Sequence, residues 1–78
     1  MSVERRQRIS ELCIGGDWAC RRGDTASLAA IAEELAARVH EPLHCKLVEL
    51  AEHCRASPDR AADEWATVKA QLLLAAEP

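Results

Sequence analysis

The chain has 78 residues and a net charge of −3, which is enough for one domain spanning residues 1–78. Because so short a chain buries only about 60% of its unfolded surface, its core is marginal without a partner or a cross-link. Fifteen alanines, no Phe or Tyr, three glycines and three prolines favour helices over the many turns of an all-β fold. No apolar run reaches the ~20 residues that cross a bilayer, and none forms a signal peptide, so we expect a cytoplasmic protein with reduced cysteines.

The first predicted element covers residues 2–22, where Ile9, Leu12 and Cys13 begin an apolar stripe. Gly15-Gly16 interrupts it, at a cost of about 1 kcal/mol per glycine relative to alanine in a helix. Two interpretations follow. One long helix packs closely or kinks at the glycines, which we favour, or Asp17 caps a new short helix that carries Trp18.

Three amphipathic helices are predicted downstream, at residues 25–39, 42–56 and 58–76. Gly23 provides the C-terminal turn of the first helix, Asp24 caps the second, and Ser57-Pro58-Asp59 is a start signal for the fourth. These boundaries predict an all-α fold, a small up-down bundle of three to four helices. The apolar stripes contain Leu28, Ile31, Leu35 and Val39; then Leu43, Leu47, Leu50 and Cys54; then Ala61, Trp65, Val68, Leu72 and Ala76.

The stretch around His40 and His44 superficially resembles half of a metal site. Pro42 argues against it, because proline pushes Glu41 out of the helical region and fits only the first turn of a helix. We therefore expect His40 to end the second helix, Glu41 to cap the third, and His44 to lie in the first turn of the third. No metal ligand is assigned.

The four cysteines lack the close pairs typical of structural zinc sites, because they stand at positions 13, 20, 45 and 54. We expect Cys13 and Cys54 to pack in the core and Cys45 to be exposed among glutamates that raise its pKa. A disulfide between Cys13 and Cys20 would require a break at the glycines. No catalytic residue and no cofactor are assigned, and we expect the protein not to be an enzyme.

Two exposed apolar residues are the candidate partner-binding residues. Trp18 is one, because tryptophan is enriched at the centres of protein interfaces. Leu74 is the other, because it lies on the side of the fourth helix opposite Trp65. Lys69 falls on the apolar stripe of that helix, and we expect its stem to lie over the ring of Trp65.

The preferred hypothesis is a small non-catalytic interaction module that binds a protein or itself, as a homo-oligomer, with no membrane and no small-molecule substrate. The first alternative is a metal-binding or thiol-redox protein that uses the cysteines and histidines. The second is a nucleic-acid-associated regulator, because residues 1–22 carry five arginines and three acids while residues 23–78 carry five cations and ten acids. The three acids among these arginines reduce the positive charge of the segment, and we do not expect nucleic-acid binding. The excess of Arg over Lys with abundant Ala suggests a bacterial coding sequence.

Overall fold

A computed structural model describes residues 3–76, and its secondary structure in that range is helical, without a strand. Each helix packs against its neighbours in sequence, and α1 also packs against α4, so that the four helices close into a ring around one core. The all-α bundle predicted from the sequence is confirmed. Its elements are α1 (Val3–Arg22), α2 (Thr25–Ala36), α3 (Leu43–Ala56), a 3₁₀ turn (Pro58–Arg60) and α4 (Ala61–Ala76).

The core consists of the predicted apolar stripes, with few exceptions, and the predicted stripe residue Ala76 has a side chain that lies outside the described part of the structure. Ile31 and Val39 are only partly buried and pack against its edge. The alanines matter as much as the leucines, because Ala19, Ala32 and Ala61 are almost completely buried and their small side chains let the helices approach. The largest fully buried side chains are Ile9, Leu28, Leu35, Leu47, Leu50 and Leu72.

Helix α1 runs unbroken through Gly15 and Gly16, as the favoured interpretation predicted. The two glycines lie against different helices. A Cβ atom on Gly15 would lie 3.3 Å from Cδ1 of Ile31 in α2, whereas one on Gly16 would lie 2.7 Å from two ring carbons of Trp65 in α4. Gly16 therefore allows the indole of Trp65 to pack directly on the backbone of α1.

The junction between α1 and α2 is a two-residue turn that matches its sequence signals. Gly23 has a φ of +66°, the left-handed conformation that favours glycine after a helix. Asp24 caps α2: one carboxylate oxygen accepts the backbone N–H of Ser27 at 3.1 Å and the other accepts its hydroxyl at 2.6 Å. The hydrogen bonds from Ser27 hold the pKa of Asp24 below its usual value.

Two boundaries differ from the sequence prediction. Helix α2 ends at Ala36 rather than at residue 39, so His40 lies in the connection to α3 and not at a helix end. The fourth helical segment begins at Pro58, as predicted, but its first turn is 3₁₀ and Ser57 makes no side-chain capping bond. Pro58 occupies the start of this 3₁₀ turn, a position where its missing N–H costs no hydrogen bond.

Polar and charged side chains connect each helix to the next around the ring. Arg8 joins α1 to Glu34 of α2 at 2.8 Å, and Arg55 of α3 pairs with Glu33 of α2. His53 joins α3 to Glu64 of α4 at 2.6 Å, and Lys69 of α4 closes the ring on Asp17 of α1 at 2.9 Å. Because exposed pairs contribute little energy singly, their main effect is on the register of neighbouring helices.

The two glycines of α1 give a matched pair of substitutions. We expect Gly16→Ala to lower the free energy of unfolding by about 1–2 kcal/mol, since overpacking against Trp65 exceeds the gain in helix propensity. Gly15→Ala should be neutral or stabilising by up to about 1 kcal/mol, because the methyl end of Ile31 can move. Urea denaturation of both variants at 25 °C measures the difference, and equal stabilities would contradict the close packing at Gly16.

Candidate interaction face and the Asp17 cluster

The corner between α2 and α3 is a structural junction. His44 lies in the first turn of α3, as predicted, and its Nδ1–H donates to the backbone carbonyl of Ala36 at 2.7 Å. This bond satisfies a carbonyl at the C-terminal end of α2, where carbonyl groups lack partners within the helix. His40 was expected to end α2, which is wrong, and it lies exposed four residues beyond the helix. Within residues 3–76, no three Cys, His, Asp or Glu side chains are grouped to hold a metal ion.

The cap residue of α3 is Pro42 rather than the predicted Glu41, but the Glu41 carboxylate reaches the first turn of the helix. One carboxylate oxygen accepts the backbone N–H of Cys45 at 2.9 Å, and the other accepts the thiol at 2.7 Å. The thiol is exposed, but its hydrogen bond to Glu41 raises the pKa of Cys45, and slight burial and the charges of Glu41 and Glu49 raise it further. Because the thiolate is the nucleophile, this environment suppresses reactivity.

The other cysteines are free thiols too. Cys13 and Cys54 are buried, as predicted, and Cys20 is half-buried near the same end of the bundle. Burial is the main cause that raises the pKa of each of these three thiols. Their environments are those of small core residues rather than of activated nucleophiles.

Asp17 is the centre of a polar cluster between α1 and α4, which we call the Asp17 cluster (Asp17, Trp65 and Lys69). Its Oδ1 accepts the indole N–H of Trp65 at 2.9 Å. Lys69 donates to both carboxylate oxygens, at 2.9 and 3.0 Å. Trp65 is only 2% exposed, so Asp17 supplies the acceptor that its buried N–H requires. The ammonium group of Lys69, which was expected to reach water from a stem lying over the Trp65 ring, instead binds the carboxylate of Asp17.

The charge of Asp17 is stabilised by these donors. Burial alone would raise the pKa of Asp17, but the hydrogen bonds from Trp65 and Lys69 outweigh it, and the positive charges of Lys69 and Arg21 act in the same direction. The pKa of Asp17 is therefore lower than usual. The carboxylate remains ionised throughout the neutral range, as an ion pair with Lys69 requires.

Beside the Asp17 cluster, apolar side chains project into solvent. Ile14 is 60% exposed and Trp18 is 54% exposed, and with Asp17 and Arg21 they line one shallow hollow on α1. The guanidinium of Arg21 lies 5.5 Å from the centre of the Trp18 ring, within the range of a cation–π contact. Leu73, which is 44% exposed, follows Lys69 by one turn and so lies on the α1 side of α4.

We call this surface the α1–α4 face and define it by Ile14, Trp18 and Arg21, which line the same hollow. Trp18, a candidate from the sequence, is on it. Leu74, the other candidate, is 70% exposed, but it is rotated by about 100° from Leu73 and points away from the bundle. The structure therefore does not bring the two candidates together.

Ile14 and Asp17 were missed as site residues in the sequence. A signal existed for Asp17, since Gly-Gly-Asp on a helix indicates a close approach with a polar group beside it. Ile14 could not be identified as exposed from the sequence, because it directly follows Cys13, a residue of the predicted core stripe. Its exposure depends on which sides of α1 are covered by α2 and α4, which is a tertiary property.

Comparisons with known proteins do not assign a function. No protein-family model, no curated protein and no solved structure matches this chain. Among residues 3–76, none of the helices has the length and hydropathy required to span a lipid bilayer. The function must therefore be inferred from the geometry alone.

Substitution of Asp17 should show how the cluster contributes to stability. We expect Asp17→Ala to destabilise the protein by about 2 kcal/mol, because it leaves the buried indole N–H of Trp65 without an acceptor. Asp17→Asn keeps an acceptor but loses the ion pair, and should cost about 1 kcal/mol at pH 7, since the site is partly open to solvent.

The same variants predict a pH dependence. Because folding lowers the pKa of Asp17, its ionic contribution is complete above its unfolded pKa of about 4 and is lost as the pH falls through the lower folded value. The stability difference between wild type and Asp17→Asn should therefore be constant near pH 7 and shrink below pH ~4. Chemical denaturation at several pH values tests this, and a difference that grows on acidification would contradict it.

Cys45 should be the most accessible thiol, but it should react slowly with alkylating reagents. We expect iodoacetamide at pH 8 to alkylate it more slowly than an unstructured cysteine, while Cys13 and Cys54 stay protected in the folded protein. Glu41→Gln removes the nearest negative charge and should speed the reaction severalfold. Peptide mass spectrometry measures the rates, with Glu52→Gln as the control on the same helix. Equal rates in Glu41→Gln and wild type would contradict the role of Glu41.

Proposed function

We propose that this chain is a small non-catalytic module that binds protein through the α1–α4 face. The observation that carries the proposal is the exposure of Ile14 and Trp18 side by side on α1, in a chain of only 78 residues. Large apolar side chains grouped on a small soluble domain are typical of interaction sites.

The surroundings of Trp18 support an interface. Arg21 stacks near its ring, and tryptophan and arginine are the residues most enriched at interface hot spots. The backbone beneath the face is held by the Asp17 cluster and by the packing of Trp65 on Gly16. A face fixed in this way loses little conformational entropy when a partner binds.

The alternatives have less support. Metal binding would need a group of ligands, and thiol chemistry would need a lowered thiol pKa, whereas each of the four cysteines has a raised pKa. Nucleic-acid binding would use the arginines of α1, but Arg8 is paired with Glu11 and Glu34, and Arg22 lies 3.9 Å from Asp24. We place the module in a reducing compartment such as the cytoplasm, where four free thiols persist.

The test is binding by variants of the α1–α4 face. Trp18→Ala should weaken self-association, or capture of another protein by the purified chain, by about 30-fold, the effect of a hot-spot residue worth roughly 2 kcal/mol. Its fold should survive because Trp18 is half exposed, and circular dichroism checks this. Val48→Ala, an exposed apolar residue on α3, is the matched control and should bind as wild type does. Binding that is insensitive to Trp18→Ala would contradict the proposal.

A further inference from the structure

We infer that the α1–α4 face binds a second copy of the same chain, with the two α1 helices antiparallel about a two-fold axis level with Gly16. This inference rests on the proposed function, because it names the partner of the same face. It is argued from the order of the exposed side chains along α1. In a two-fold dimer the same surface must be complementary to itself.

The apolar residues have this self-complementarity. Ile14 lies two residues before Gly16 and Trp18 two residues after it, so each is about 3 Å from the level of Gly16 along the helix axis. A two-fold axis perpendicular to α1 at the level of Gly16 places Ile14 of each copy opposite Trp18 of the other. The dimer therefore contains two equivalent Ile14–Trp18 contacts. Both residues are more than half exposed in the single chain.

The charges have the same symmetry. Glu11 lies five residues before Gly16 and Arg22 six residues after it, and both are exposed. Within one chain Glu11 pairs with Arg8 at 3.3 Å and Arg22 lies 3.9 Å from Asp24, and the dimer would exchange these weak surface pairs for contacts between the copies. They are eleven residues apart, or three turns, so they project from nearly the same side of α1. In an antiparallel two-fold pair, residues on the same side at mirrored heights face each other, so Glu11 of each copy meets Arg22 of the other. A parallel pair would instead place like charges together.

The available surface is of a suitable size. Helix α1 is symmetric about Gly16 from residue 10 to its end at Arg22, which gives about 18 Å of paired helix. A standard interface covers about 800 Å² of each partner, or about one sixth of the 4890 Å² of this chain. Leu73 flanks α1 on the α4 side and would extend the apolar contact beyond the paired helices.

Charge reversal tests the arrangement by sedimentation equilibrium of the full chain over micromolar to millimolar concentrations. We expect wild type to dimerise, and Glu11→Arg and Arg22→Glu each to raise the dimer dissociation constant about tenfold, since two symmetry-related contacts become repulsive. Mixing these two variants should restore dimers, now as heterodimers. Glu52→Arg and Arg60→Glu, the same charge changes on α3 and the 3₁₀ turn, should leave the constant unchanged.

Two results would overturn the inference, and they differ from failure of the proposed function. A wild-type chain that stays monomeric to millimolar concentration, while Trp18-dependent capture of another protein persists, excludes self-association and keeps the proposed function. A dimer that tolerates both single reversals excludes the antiparallel pairing. Circular dichroism of each variant confirms that a lost dimer does not reflect a lost fold.

Discussion

The packing of the Trp65 indole on Gly16 is the contact on which the arrangement of α1 depends. It brings the backbone of α1 against α4 at a distance that no side chain at position 16 would permit. The buried ring then has an N–H group that must be satisfied, and Asp17, the next residue, accepts it together with the ammonium group of Lys69. Two adjacent residues of α1 thus make three contacts with α4: Gly16 packs against the Trp65 ring, and Asp17 binds both the indole N–H and the ammonium group of Lys69.

This contact also determines what α1 exposes. With Gly16 against α4, Gly15 near Ile31 of α2 and Asp17 bound to Lys69, the outer side of the helix carries Ile14 and Trp18 into solvent. The same rotation that buries Cys13 and Ala19 therefore displays the candidate interaction face. The remaining polar contacts around the ring, at the α1–α2, α2–α3 and α3–α4 seams, maintain the register of the helices. They are partly exposed, and the core supplies most of the stability.

Much of the fold was accessible from the sequence because helix periodicity and helix ends are local properties. The stripes through Leu28 and Leu35 and through Leu47 and Leu50 are the core, and Gly23-Asp24 forms the predicted turn. Pro42 correctly indicated that His40 and His44 belong to different elements, but α2 ended earlier than its apolar pattern suggested. His44 bonds to Ala36 across that corner, a contact that depends on how the two helices meet and that spacing alone does not encode.

The candidate site was less predictable for the same reason. Trp18 and Leu74 were both identified as exposed, but only the packing of the helices shows that they lie apart and that Ile14 accompanies Trp18. The most direct test of the central contact is hydrogen exchange of the two indole N–H groups, followed by NMR. We predict that the Trp65 signal is strongly protected, because it is buried and bound to Asp17, whereas the Trp18 signal exchanges rapidly. Rapid exchange of both indoles would contradict the account.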